Sequence, residues 1–250
     1  MDKISIVICT YNRSNYLYKC LYCLKEQLAR NIEIIIVDDS SSDNTKKMID
    51  TYYSDLNVKY IFNKKSNGYS SPAQARNIGW KNSDAKYICF TDPENLIPWT
   101  YLNKVYEYHT KNPDSVTCIK PIMLSEKQTS KLDNDSLFDN LDNLFKINFK
   151  SFNDEENIYI QNRKSWRDNH FSMMPRKALE EINGVNENFD KWGFEGIDLI
   201  ERILKKGYQL YNFIEEEYFV FHQWHNINRN MKIAEKQRSE FGIKDCGKID

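Results

Sequence analysis

Two carboxylates on one short turn, Asp92 and Glu94 with Pro93 between them, close the apolar run Tyr87-Ile88-Cys89-Phe90. A run of that length reads as a buried strand, and the proline stops pairing there. The carboxylates then stand where the strand leaves the sheet, on the rim where α/β proteins place their ligands. Hard oxygen donors at this spacing suit a divalent cation that itself carries phosphate oxygens. Asp39 offers a second strand-end carboxylate, behind the apolar run Ile32–Val37. It can accept hydrogen bonds from a nucleobase imide or a ribose hydroxyl, whereas Asp43 is better placed as a helix N-cap. Arg76 is a candidate to pair with a diphosphate or to orient Asp92.

The elements that must position these groups follow from periodicity. Ile4–Cys9 is a β-branched run, followed by a helix with Leu17, Cys20, Leu21, Leu24 and Leu28 at helical spacing. Ile32–Val37 gives a second strand and Val58–Phe62 a third, separated by a helix through Met48 and Ile49. Ser71-Pro72 opens a helix through Trp80, with proline at its first position. After the strand that ends at Asp92, a helix is expected over 100–109 and a strand over 116–119. Further strands are expected over 171–174, 209–213 and 218–222, with helices over 176–182 and from about 195 to 206. Alternating buried strands and helices mean βαβ units and a mostly parallel sheet, with the loops after the first, second and fourth strands on one rim. Residues 125–157 are rich in Asp, Asn, Lys and Ser and read either as a mobile acceptor or lid segment or as a solvated insertion with a helix or two.

Lys plus Arg (35) nearly balances Asp plus Glu (36), so no global field favours nucleic acid or an anionic membrane as partner. No apolar run approaches a membrane span and no signal peptide opens the chain. The expected location is the cytoplasm, with attachment to the inner face of a membrane only peripheral or through a partner. Cys20 and Cys23 form a C-x-x-C inside an amphipathic helix with no second pair, which reads as core rather than metal or redox chemistry. Neither a dinucleotide fingerprint nor a P-loop occurs, and 8 glycines leave little for a phosphate-cradling loop. Bound phosphates must be neutralised by a metal and by side chains.

Taken together, the motifs resemble family-2 glycosyltransferases of the GT-A fold. Ser5-Ile6-Val7-Ile8-Cys9-Thr10-Tyr11-Asn12-Arg13 is similar to that family's opening strand and loop, and Ile35–Asp43 to its second strand and nucleobase loop. Ala75-Arg76-Asn77-Ile78-Gly79 matches the A-R-N-x-G helix, and Asp92-Pro93-Glu94 stands at the D-x-D position. Trp192-Gly193-Phe194-Glu195-Gly196-Ile197-Asp198 resembles the W-G-x-E-D-x-D segment of the galactosyltransferase-like branch. Phe221-His222-Gln223-Trp224-His225 resembles the terminal metal-histidine strand. The resemblance implies an α/β GT-A domain over 1–225, with a nucleotide-binding half (1–120), an acceptor and catalytic half (121–225), and a polar arm over 226–250. It implies an inverting transfer from a UDP-sugar to a saccharide or other glycoconjugate. Thr10, Tyr11, Arg13, Asp39, Arg76 and Asp92 would bind the nucleotide sugar, and Trp192 and Gly193 the acceptor. Asp92, Glu94, His222 and His225 would hold Mn²⁺ or Mg²⁺, with imidazole favouring Mn²⁺.

The catalytic segment departs from the pattern. The family usually places its general base on the Asp of the E-D pair, and that position is Gly196 here. Glu195 remains as the candidate base, with Asp198 one turn on contributing to the helix start. Alternatives stay open: a base from elsewhere or a different nucleophile, or a degenerate module that binds nucleotide sugar or a partner transferase without catalysis. A nucleotidyltransferase is disfavoured, because no glycine-rich basic loop follows the first strand.

Overall fold

The computed structural model describes residues 2–27, 31–65, 71–119, 121–133, 136–146, 171–189, 193–213, 219–226 and 231–242. The βαβ reading holds through the first half. Strand β1 (Ile4–Thr10) is followed by helix α1 (Ser14–Lys25), β2 (Ile32–Asp38), α2 (Thr45–Tyr52) and β3 (Val58–Phe62). Helix α3 (Pro72–Lys81) then leads to β4 (Tyr87–Thr91). Ser71 caps α3, its hydroxyl accepting from Gln74 N, and Pro72 sits in the first turn as expected.

The rest of the chain supplies β5 (Asn95–Leu96), α4 (Tyr101–Lys111), β6 (Ser115–Cys118), β7 (Ile122–Met123), α5 (Glu126–Ser130) and α6 (Leu137–Phe145). Beyond residue 170 come β8 (Phe171–Pro175), α7 (Arg176–Glu181), α8 (Glu195–Leu204), β9 (Gln209–Asn212), β10 (Phe221–His222) and α9 (Met231–Glu240).

Seven strands form the central sheet in the order β3-β2-β1-β4-β8-β6-β9. It is mostly parallel, but β8 runs antiparallel to both of its neighbours, β4 and β6. A strand from after residue 170 is thus hydrogen-bonded between two strands from before residue 120. Side-chain alternation fills both faces. Ile4, Ile6, Ile8, Ile34 and Ile36 meet Leu17, Leu21 and Tyr101 on one side. Val7, Ile35 and Val37 meet Trp80, Leu199 and Ile203 on the other.

A small sheet, β5-β10-β7, is the main departure from expectation. The strand expected over 218–222 pairs only at Phe221–His222, and Tyr218 lies outside the described residues. So do Leu28 and much of 125–157; within that stretch α5 and α6 are regular helices. The polar C-terminal arm carries a helix, α9. Cys20 and Cys23 are buried and not disulfide-bonded. Burial pushes the Cys23 thiol up to about 12, so it stays protonated and packs as a small hydrophobe.

Candidate active site

The loops after β1 and β2 are tied into one rim. Asn12, in the left-handed region at φ 52°, accepts at Oδ1 from Ser42 N at 2.8 Å, and its own N–H donates to Ser41 Oγ at 2.8 Å. Asp43 stands one residue outside the expected cap, since Asn44 holds the N-cap position of α2; it accepts from Thr45 N at 3.1 Å and Ser14 N at 3.0 Å. Asp39 does something else. It is buried, and its carboxylate accepts from Asn63 Nδ2 and Ser71 N, each at 2.6 Å, with Lys65 Nζ at 3.3 Å. Each carboxylate oxygen has two acceptor sites, so an imide N–H can still be received there. Beside it, Thr10 Oγ1 is buried with no hydrogen-bond partner, and Tyr11 is partly exposed at the same loop. An orphaned hydroxyl at a strand end next to a carboxylate fits a polar ligand edge.

The A-R-N-x-G helix divides its labour. Gly79 lies against β1: a Cβ there would meet Val7 Cγ1 at 2.2 Å. Asn77 is a buried strut. It donates to Val185 O and Glu187 Oε1, each at 2.8 Å, and accepts from Val185 N and Trp80 Nε1, each at 2.9 Å. This fastens α3 to the turn at Asn183-Gly184, where both residues have positive φ.

Arg76 alone of the motif reaches the cleft. It donates to Glu195 Oε1 at 2.7 Å and lies 3.4 Å from Asp92 Oδ1. Burial works to lower the Arg76 pKa, but the charges of Glu195 and Asp92 outweigh it and the pKa is raised. The guanidinium therefore links the D-x-E turn to the first residue of α8, 119 positions away.

Glu195 is buried, and its second oxygen, Oε2, accepts from Gly193 N at 2.9 Å. The two residues before it hold unusual backbone: Gly193 has φ 128° and Phe194 φ 66°. A left-handed aromatic is a local cost that surrounding contacts must sustain. Asp198 is not brought into this cluster. It pairs with Arg202 Nε at 2.7 Å in the first turn of α8, where a negative charge favours the helix. Trp192 lies outside the described residues; Gly193 is in place beside Glu195.

Metal-type donors converge on the other side of the turn. Glu94, His222 and His225 bring their ligand atoms within 4.8 Å of one another. Asp92, expected as a ligand, is not in that group and faces Arg76 instead. Each imidazole donates from Nδ1 to a backbone carbonyl, His222 to Gln223 O at 2.8 Å and His225 to Asn226 O at 3.1 Å. A carbonyl only accepts, so the lone pair of each neutral ring is on Nε2, the nitrogen a metal takes.

His225 Nε2 lies 3.8 Å from Glu94 Oε1, and Arg13 Nε donates to that same oxygen at 2.6 Å. Arg13, expected at the nucleotide sugar, is thus spent on the metal-type carboxylate. Burial raises the Glu94 pKa and the charge of Asp92 adds to it, against His225 and Arg13. One carboxylate and two imidazoles fit Mn²⁺ better than Mg²⁺. Residues not foreseen at the rim are Asn63 and Lys65 on Asp39. Buried Gln223 was not foreseen either; its N–H donates to Glu94 O at 3.0 Å.

The architecture is the GT-A fold. The Staphylococcus aureus TarS 1–349 structure with UDP-GlcNAc superposes at TM-score 0.63, with 15% identity over 90% of this chain and 60% of that one. A Pyrobaculum calidifontis mannosyltransferase with GDP-Man and Mn²⁺ gives 0.62, with 15% identity over 95% and 60%. The description "Glycosyl transferase family 2" matches residues 5–183, and "N-terminal domain of galactosyltransferase" matches 170–225. The chain belongs to glycosyl transferase family 2.

Among curated relatives, an uncharacterized glycosyltransferase of Rickettsia conorii is 40% identical over 38% of this chain and 15% of its own length. GlyG of Streptococcus pneumoniae is 31% identical over 42% and 35%. The S. aureus poly(ribitol-phosphate) β-N-acetylglucosaminyltransferase TarS is 27% identical over 48% and 21%. The matches therefore span well under half of each of these relatives.

Proposed function

We propose that this protein is an inverting, metal-dependent glycosyltransferase that moves a hexose or N-acetylhexosamine from a UDP-sugar to a saccharide or other glycoconjugate. It would work in the cytoplasm, with any membrane attachment peripheral; no described helix is long and apolar enough to cross a membrane. The observation that carries the reading is the bridge Asp92–Arg76–Glu195, which sets a buried carboxylate beside the D-x-E turn and its Glu94, His222 and His225 group.

In this reading Thr10, Tyr11 and Asp39 receive the base, with the unpaired Thr10 hydroxyl available to it. Glu94, His222 and His225 would hold Mn²⁺, which as a Lewis acid stabilises charge on the departing diphosphate. Arg76 holds Glu195 so that one carboxylate faces the acceptor. Glu195 accepts from Arg76 at one oxygen and from Gly193 N at the other, which leaves acceptor capacity for a sugar hydroxyl and its proton. Displacement is a single in-line step: the acceptor oxygen bonds the anomeric carbon as the bond to UDP breaks, and the acceptor proton goes to Glu195. Asp198, committed to Arg202, supports the helix that presents Glu195.

One observation favours a second reading, a module that binds nucleotide sugar without transferring it: Gly196 stands where a base is expected, and Glu195 is ion-paired. UDP-sugar hydrolysis and transfer with Mn²⁺ separate the two. The transferase reading expects turnover that Glu195→Gln lowers by at least about 10²-fold with UDP affinity kept. Full activity in that variant removes Glu195 from the role.

A further inference from the structure

The C-terminal stretch reads in sequence as a polar helix or arm lying on the body, and α9 meets that body at three points. Gln237 is buried and donates from Nε2 to Gly193 O at 3.2 Å. The Arg238 guanidinium lies 5.7 Å from the centre of the Phe194 ring. The Phe241 ring, just beyond the helix, packs on Phe189 with centroids 4.3 Å apart. The contacts fall on Phe189, Gly193 and Phe194, and the last two, which directly precede Glu195, are the backbone outliers.

We infer that Gln237 is a positioning residue for Glu195, acting through the Gly193-Phe194 peptide; this rests on the transferase reading above. The carbonyl that Gln237 holds belongs to the peptide linking Gly193 to Phe194. Fixing that plane holds Phe194 at φ 66°, a conformation an aromatic residue abandons when nothing enforces it. The preceding peptide carries the Gly193 N–H that donates to Glu195 Oε2 at 2.9 Å. A line of contacts thus runs from Gln237 through Gly193 to Glu195, and on through Arg76 to Asp92. The buried amide matters for its donor: an apolar side chain of equal length would fill the space without orienting the carbonyl.

The test compares the protein with its Gln237→Met variant, which keeps length and burial and lacks the N–H. Amide hydrogen exchange is read by mass spectrometry in the peptide covering 189–199. UDP binding with Mn²⁺ is read by calorimetry, and turnover and KM with the UDP-sugar that wild type uses. The expected result is exchange at least about 5-fold faster in that peptide, with peptides of β1–β4 unchanged. UDP affinity and donor KM stay within about 2-fold while kcat falls at least about 10-fold.

Unchanged exchange, or faster exchange with wild-type kcat, overturns the positioning role. Loss of UDP binding together with turnover overturns it too, because the helix would then support the whole fold. A wild type that turns over no UDP-sugar sinks the transferase reading instead, and the exchange comparison still decides whether Gln237 holds the segment.

Discussion

Replacing Arg76 by Met tests whether the cleft is built around one guanidinium. The substitution keeps a long apolar stem and deletes the charge, leaving buried Glu195 with only the Gly193 N–H among the described residues. Removing one partner of a buried pair costs about 3–5 kcal/mol, because the other charge remains in low dielectric. The Asp92 arm is longer, at 3.4 Å, and its carboxylate is more exposed, so it adds under about 1 kcal/mol. At about 2–4 °C per kcal/mol for a chain of this size, the thermal midpoint should fall by about 6–24 °C. Urea unfolding followed by circular dichroism gives the free energy directly. The double variant Arg76→Met/Glu195→Met should cost at least about 2 kcal/mol less than the sum of the two single changes, since replacing both partners leaves no orphaned charge. Additivity within about 0.5 kcal/mol would refute the pairing as the organising contact.

Three further outcomes are expected. Asn77→Ala strands Val185 N, Val185 O and Trp80 Nε1, and should lower unfolding free energy by about 2–4 kcal/mol in urea with UDP binding retained. His109 is buried between Thr117 and Ser115, and burial holds its pKa down at about 4, partly offset by a hydrogen bond to the Met173 backbone carbonyl. The unfolded chain therefore binds the proton first as pH falls from about 6.5. Stability is complete above that pH and declines by about 2–3 kcal/mol toward pH 4; His109→Gln should flatten the decline in urea titrations across that window. Arg13→Gln should tighten Mn²⁺ binding by about 10-fold in calorimetry, because Arg13 and the ion compete for Glu94 Oε1; unchanged or weaker binding would show that Arg13 aids the ion.

Much of this was legible from residue types. The β-branched runs at Ile4–Cys9 and Ile32–Val37 can be buried only in a sheet, and Ser71-Pro72 marks a helix start by its own chemistry. The rim loops, with Thr10, Asp39 and Asp92, follow from where those runs stop. The small sheet was not legible, because strands of two residues such as Asn95–Leu96 and Ile122–Met123 carry no period. Nor was the antiparallel seat of β8, since its run Phe171–Pro175 reads the same in either direction. The site's inner wiring depends on contacts across long separations: Arg76 to Glu195, Arg13 to Glu94, Gln237 to Gly193. Asn77 looked like one letter of a binding motif and proved to be a strut. The left-handed Phe194 had no glycine or asparagine to announce it.

The most direct test of the donor site is calorimetric titration of UDP into the protein with and without Mn²⁺, repeated on His222→Ala. The site as described predicts UDP binding that depends on Mn²⁺ and weakens at least about 10-fold when the imidazole is removed. UDP binding equally well without Mn²⁺ and unaffected in His222→Ala would contradict a Glu94, His222 and His225 metal site at the D-x-E turn.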